Sequence, residues 1–569
     1  MTKPQVRELH LDAVEASAAA IATRRLTLAV LVFACAFSWL LLTVELINDH
    51  FDRISRGRQI LVYGERPFSD FRDPGYFLTL YTSAVVQAMS GGRLLGEAVI
   101  DSAAIAFAAA ITFLLAARAA ESTGIGLVAA IFTLIVAPRY YDYDKVLFYT
   151  AGLALAWRYA DDRRMRTLLV AAMVTVAAGL FRYDNGVFLF AATLTTLVFC
   201  HWRTVHELLR RSAAYTAGVA LGLAPALITW QQTVGVSEVL RQVRAYAQLE
   251  GERTGVFKAP IPQFDAGRSL ISSLVSPENH PVLLYYVIVA LLPAAAAALL
   301  WRWYRTDSER SMEHEAPKVA ATVVLGALVA VFILRDPILA RLGAAAPTAA
   351  ILAAWLAARA IPPHGDRNLA RLLVIAFGGL AVLVSALILT GGSPARVLEV
   401  LARTTAGAVR VRELTKVPPS LALLPDAPAT EGMVGYVRAC TPPGSRVLVG
   451  GFVPQLYFFA ERGFAGGMPV FFGGHWSSVQ DQERTIEQLR REFVPLAIVD
   501  SAFSSTYDRV GAFLASTFVH AGVSSFGNPR APAGGYQVLL RRGVGSMPVD
   551  SRWNLPCLSG WSSAESSRL

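Results

Sequence analysis

The sequence predicts a polytopic α-helical membrane protein with a small α/β domain at its C-terminal end. Three observations carry that expectation. Apolar runs of near-spanning length recur through the first two-thirds of the chain, basic residues alternate between the turns that join them, and the hydrophobic periodicity changes after about residue 391. The 569 residues are 54% hydrophobic and 17% charged, with mean hydropathy +0.45. Soluble domains run at roughly 45–50% apolar and about 25% charged, so both departures point to a lipid bilayer as partner. A net charge of +10 would suggest nucleic acid in a soluble chain. Here no Gly-rich phosphate loop, zinc spacing or basic-aromatic array accompanies it, and nucleic acid is not an expected partner.

Residues 1–25 are polar and end in Arg24-Arg25; the apolar run 26–47 that follows is too long for a signal-peptide core and lacks a small-residue cleavage site, so it reads as an uncleaved first span. Further spans are expected at 94–117, 124–137, 146–160, 168–181, 186–200, 213–230, 282–301, 319–334, 338–358 and 372–389, about eleven in all. With the N-terminus cytoplasmic, the inner turns and their flanks hold Arg158/Arg163/Arg164/Arg166, Arg203/Arg210/Arg211, Arg302/Arg305/Arg310/Lys318 and Arg359/Arg367/Arg371. The short outer turns hold only Arg139 and Lys145, then Arg182, then Arg335. That alternation obeys the positive-inside rule, and an odd span count places everything after Leu389 outside. The expected location is therefore a multi-pass inner membrane protein with an extracytoplasmic (periplasmic) C-terminal domain.

The expected organisation is a membrane module over 1–391, an α/β domain over 392–545 and a disordered tail over 546–569. The first outer loop, 48–93, holds two helix-compatible stretches, 52–63 and 75–89, suited to the membrane surface. A second large outer loop covers 231–281. In the C-terminal part, helical stretches at 431–438, 484–493 and 507–517 alternate with β-type runs at Arg446–Val449, Leu496–Val499 and 536–540. Four cysteines are too few for a disulfide framework. Cys35 and Cys200 fall in apolar runs, and a Cys440–Cys557 bridge is chemically permitted outside the cytoplasm.

Polar residues at membrane depth are functional candidates because an unpaired charge there is expensive. Four clusters open on the same outer face: Asn48-Asp49-His50-Phe51-Asp52, Arg139 through Asp142, Asp144 and Lys145, Arg182-Tyr183-Asp184-Asn185, and Arg335-Asp336-Pro337. Glu97 and Asp101 share one helix face at i,i+4 and equally suit pairing with an interhelical arginine. Turns in any membrane protein favour such residues, which is the bland alternative. Together, though, the clusters offer carboxylates that take a proton and cations that hold a phosphate. His50 and His280 lack a second ligand at metal spacing, so no metal and no cofactor are expected.

From Asp49 onward the chain resembles the GT-C superfamily of integral membrane glycosyltransferases. The carriers are Asp49 after the first span, Arg56 in the next turns, and Gly64-Glu65-Arg66-Pro67-Phe68-Ser69-Asp70-Phe71-Arg72-Asp73-Pro74, which looks like the G-x-x-P-Y-x-D-F-x-x-P stretch of bacterial members related to protein O-mannosyltransferases and aminoarabinose transferases. The resemblance covers most of the chain as layout and about 25 residues as motif. It implies that Asp49, or Asp52 one turn later, is the catalytic base and that Asp142 or Asp144 is the second-loop acid. It also implies an inverting transfer from a polyprenyl-phosphate-linked sugar donor to an extracytoplasmic acceptor (lipid, glycan or protein). Lys145, Arg139, Arg182 with Asp184, Arg241 and Arg244 are the expected substrate- and phosphate-binding residues. The chain departs from relatives in His50 after Asp49 and in Arg72-Asp73-Pro74 where aminoarabinose-type members carry Lys-Pro-Pro. Two other classes remain open: a lipid-linked-substrate transporter or flippase, for which repeat symmetry is missing, and a non-catalytic envelope protein that binds glycan.

Overall fold

The computed structural model describes residues 3–136, 140–254, 260–274, 276–305, 309–334, 339–360, 372, 374–376, 378–379, 382, 407–424, 427–528, 531–532, 534–543 and 548–558. Its membrane module begins with α1 (Lys3–Thr43), α2 (Asn48–Tyr63), α3 (Phe77–Ser90), α4 (Leu94–Ala119) and α5 (Thr123–Ile135). It continues through α6 (Tyr143–Asp162), α7 (Met165–Phe181), α8 (Tyr183–His201), α9 (Val205–Thr233), α10 (Val236–Thr254) and α11 (Leu270–Leu274), then α12 (His280–Arg305), α13 (Glu309–Ile333), α14 (Leu339–Leu342) and α15 (Ala346–Ala360). Among the described residues six segments are long and apolar enough to cross a bilayer: Ala20–Thr43, Leu94–Ala119, Tyr183–His201, Val205–Thr233, His280–Tyr304 and Glu313–Ile333. Shorter apolar helices occupy Thr123–Ile135, Met165–Phe181 and Ala346–Arg359. Only 6% of the apolar window of Val205–Thr233 is buried in protein; Leu221 and Ile228 project outward from it, a surface stable only against lipid. The chain is a multi-pass membrane protein.

Ten of the expected spans correspond to helices, α6 among them; the eleventh, 372–389, lies almost wholly outside the described residues. The first span ends at Thr43 rather than residue 47. Val44 and Leu46 are buried while Glu45 and Ile47 are less so, the period-2 pattern of an extended link. Consequently α2 starts at Asn48, earlier than expected, with Asp49 in its first turn, where the helix dipole favours a carboxylate.

The C-terminal domain is a five-stranded mixed sheet in the order β2-β1-β3-β5-β4, from β1 (Arg446–Val449), β2 (Gly463–Phe464), β3 (Leu496–Val499), β4 (Phe518–Ser524) and β5 (Tyr536–Arg541). β1 pairs in parallel with β2 and β3, and β5 runs antiparallel to β3 and β4. Both faces are covered. Val447, Val449, Leu496 and Ile498 pack with Met433, Val434 and Val437 of the helix Ala427–Cys440. Leu448, Ala497 and Val499 pack with Leu489, Val510 and Leu514 on the other side. Residues 548–558 are not the expected disordered tail. Cys557 is disulfide-bonded to Cys440, Leu555 and Leu558 are buried, and Val549–Asp550 pairs with Leu555–Pro556, so covalent and apolar ties hold the segment on the domain. The 391/392 boundary falls outside the described residues.

This domain shares its core with the membrane module. Phe51 and Ile54 of α2, Phe71 and Leu80 belong to the same apolar cluster as Val447, Phe458, Phe459 and Phe464, and the Phe51 ring lies 5.8 Å from Phe458 and 5.1 Å from Phe459. Ser55 Oγ donates to the Pro454 carbonyl at 2.7 Å. The domain therefore sits on the face of the bundle where α1 ends. Phe51 is fully buried at this seam. Phe51→Ala is expected to destabilise the docked state by about 3 kcal/mol, read as earlier proteolytic release of the domain from detergent-solubilised protein; an unchanged cleavage rate would contradict a shared core.

Candidate functional site

The turns on that face converge on one cavity of about 350 Å³. Asp49 and Asp52 of α2, Asp142 from the turn before α6, Asp144 and Lys145 of α6, and Arg182 between α7 and α8 all line it. Residues that the sequence did not single out complete it: Arg53, Tyr76, Tyr246 and Glu250 of α10, Arg341 of α14, and Phe452, Phe472 and His475 of the C-terminal domain. Asp184 stands behind the wall.

The charged residues are interlocked. Asp142 Oδ1 lies 2.8 Å from Lys145 Nζ and 3.4 Å from Arg182 Nη1; Arg182 Nε donates to Asp184 Oδ1 at 2.7 Å. Asn185 Nδ2 donates to Asp144 Oδ2 at 2.7 Å. The Arg182 guanidinium also lies over the rings of Tyr76 and Phe332, at 5.1 and 5.7 Å. Arg182 can occupy this junction because α7 and α8 touch back to back: a Cβ on Gly186 would meet Gly179 Cα at 2.6 Å, so the glycine keeps the two helix ends together. Three carboxylates and two cations are thereby taken out of bulk water, each at a desolvation cost of several kcal/mol, which makes the cluster a candidate site.

Asp49 and Asp52 stand in different surroundings. Tyr141 donates its hydroxyl to Asp49 Oδ2 at 2.8 Å. Asp52 Oδ1 accepts from Arg56 Nε at 3.2 Å and Nη2 at 3.1 Å. Arg53 holds the frame. Its Nη2 donates to both oxygens of Asp101 at 3.0 and 3.1 Å, its Nη1 donates to the Tyr141 carbonyl at 3.0 Å, and Glu97 lies 3.8 Å away. Glu97 and Asp101 thus pair with an interhelical arginine, and His50 Nε2 meets Asp101 Oδ2 at 2.6 Å. Arg53 ties α2, α4 and the α5–α6 turn into one unit.

Not every expected phosphate-binding residue lies here. Arg241 donates to Glu238 at 2.7 and 2.8 Å and to Asp481 at 3.2 Å, bracing α10 against the C-terminal domain, and Arg244 is exposed. Neither lines the cavity; Tyr246 and Glu250, one to two turns further along the same helix, do. Arg139 and Arg335-Asp336-Pro337 lie outside the described residues. Among the described residues the one group with three close metal-donor atoms is Cys440, Asp550 and Cys557, and its two sulfurs are joined in the disulfide.

The 64–74 stretch is a strap beneath the C-terminal domain. Arg72 is fully buried and donates to the Gly466 and Asp481 carbonyls, while Arg484 Nη2 donates to the Ser69 carbonyl at 2.7 Å. Asp73 Oδ1 accepts from the Gly75 and Tyr76 amides at 2.8 and 2.7 Å, capping the entry to α3 and fixing Tyr76 at the cavity.

No protein-family model and no curated protein matches the chain. Among solved structures it is similar to ArnT from Cupriavidus metallidurans in the apo state (TM-score 0.40, 13% identity, 92% of this chain and 98% of that one). The same protein bound to undecaprenyl phosphate gives TM-score 0.41 and 14% identity over 91% and 98%. An Archaeoglobus fulgidus oligosaccharyltransferase gives TM-score 0.42 and 11% identity over 89% and 72%. TM-scores below 0.5 at this identity leave the fold to the elements described above.

Burial pushes the Asp73 carboxyl up to about 6, against the opposing pull of its two backbone bonds and Arg56. The folded chain then holds this proton more tightly than the unfolded one. The associated stability is complete below an ordinary carboxyl pKa of about 3.9 and is lost as pH rises through about 6. Asp73→Asn keeps the capping oxygen and removes the titration. The variant is expected to be more stable than the parent at pH 7.5, with the advantage gone by pH 4, in unfolding midpoints measured across that range. An advantage that grows as pH falls would contradict the assignment.

Proposed function

We propose that this protein is an inverting glycosyltransferase that moves a sugar from a polyprenyl-phosphate donor to an acceptor hydroxyl in the extracytoplasmic space. The observation that carries the reading is the meeting of Asp49 with Lys145 and Arg182 in one cavity at the end of the spans. A transfer of this kind needs a base on one side of the anomeric carbon and cations on the other. The resemblance of the first loop to GT-C members implies the same base role for Asp49.

In this reading Asp49 takes the proton of the acceptor hydroxyl. The acceptor oxygen attacks the anomeric carbon from the face opposite the phosphate, forming the new C–O bond as the bond to the phosphate oxygen breaks. The electron pair leaves with the polyprenyl phosphate, whose growing negative charge Lys145, Arg182 and Arg341 stabilise. Asp142 and Asp184 hold Lys145 and Arg182 in place, and Asp144 is held by Asn185. Asp49 is preferred to Asp52 as base because Arg56 occupies Asp52. The N-terminus is cytoplasmic and the C-terminal domain extracytoplasmic, supported by the basic residues crowding the turns opposite the cavity.

Purified protein incubated with a panel of radiolabelled polyprenyl-phosphate sugars and native lipid extract is expected to transfer label. Asp49→Asn should lower turnover at least about 100-fold, the scale of a lost general base, with expression and unfolding midpoint unchanged. Normal turnover in Asp49→Asn would remove the mechanism.

A further inference from the structure

The cavity has two chemically different ends. Toward the spans, Lys145 and Arg182 gather around Phe332, and Arg341, Val329 and Ile333 also line the cavity. Toward the domain, the lining changes to Tyr246, Glu250, Phe452, Phe472 and His475. Asp49, Asp52 and Arg53 complete the lining on α2, with Arg53 neutralised by Asp101. At the domain end His475 lies 3.0 Å from Glu250 Oε1 and stacks on Tyr246 at 5.5 Å between ring centroids. Phe452 and Phe472 meet edge to face at 5.9 Å.

These rings are set by backbone, not by chance. Gly451 and Phe471 form an antiparallel β-bridge, which ties the two loops together where the Phe452 and Phe472 rings meet. The first of these strands continues from the carboxyl end of β1, where ligands of parallel sheets bind. Gly473 and Gly474 take φ of 60° and 76°, and the tight turn they permit returns His475 to the Phe472 carbonyl at 2.7 Å. Phe472 remains 47% exposed, an aromatic face kept in water at the mouth of a polar cavity.

Resting on the transferase reading, we propose that this domain end is the acceptor subsite and that it takes an uncharged saccharide. The ring faces of Phe452 and Phe472 receive the C–H surface of a sugar, and the Glu250–His475 pair receives its hydroxyls. An acceptor carrying its own phosphate is disfavoured, because Glu250 is the carboxylate among these rings, Arg53 is bound to Asp101, and Lys145 and Arg182 gather at Phe332. His475, the basic group at this end, is engaged by Glu250.

The test is saturation-transfer NMR on the full chain in nanodiscs loaded with undecaprenyl phosphate. The probes are methyl glucoside, methyl mannoside, methyl galactoside and their 6-phosphates. At least one neutral glycoside is expected to bind, with its 6-phosphate at least about tenfold weaker. Phe472→Leu, which keeps apolar bulk and loses the ring, should weaken the neutral probe roughly threefold to tenfold, and Glu250→Gln should narrow the gap to the phosphate. Absence of neutral binding, a 6-phosphate that binds as well, or indifference to Phe472→Leu overturns the inference. Those outcomes leave the transferase reading standing if Asp49→Asn abolishes turnover; neutral binding with a fully active Asp49→Asn protein would do the reverse.

Discussion

Charge removed from water inside a membrane protein persists only where other groups compensate it, and that constraint organises this molecule. Asp142, Lys145, Arg182 and Asp184 form a continuous chain of opposite charges across three helix ends. Remove one member and its neighbours are left buried with a deficit, so the turns between α5 and α6 and between α7 and α8 hold one another in register. Arg53 extends the same logic to α2 and α4. These charges are mutually necessary in their buried positions.

The C-terminal domain enters this scheme as a wall. Its core is continuous with Phe51 and Ile54 of α2, so the loops that carry Phe452, Phe472 and His475 are positioned by the same helix that carries Asp49. The strap from Gly64 to Pro74 serves both sides, with Arg72 reaching into the domain and Asp73 fixing Tyr76 at the cavity. One short run of sequence thus ties the domain to the cavity wall.

Much of this was legible before any coordinates. Spans, charge alternation and the meeting of Asp49, Asp142, Asp144, Lys145 and Arg182 on one cavity were expected from apolar length and from the positive-inside rule, which puts the short turns that carry them on one face. β1 and β3 were legible because both faces of each are buried and, Arg446 apart, the runs are apolar. β4 was not, since it is an edge strand with several exposed positions, and β2 has only two residues. Arg53 was hidden in mid-helix, its role visible only once α2 lies against Asp101. The Glu250–His475 contact joins residues 225 apart, beyond any local pattern. Arg241 misled because an arginine in an outer loop resembles a phosphate ligand, whereas the amphipathic α10 turns it toward Glu238 and Asp481.

The central claim is that groups scattered along the chain share one compartment beyond one end of the spans. Single cysteines at Tyr141, Phe332 and Phe472, in a background with Cys35 and Cys200 replaced, test it through a membrane-impermeant maleimide applied to intact spheroplasts and to inside-out vesicles. All three should label from the same side, opposite to a cysteine placed at Arg203, and undecaprenyl phosphate should protect the position at Phe332. Labelling of Tyr141→Cys and Phe472→Cys from opposite sides of the membrane would contradict the account.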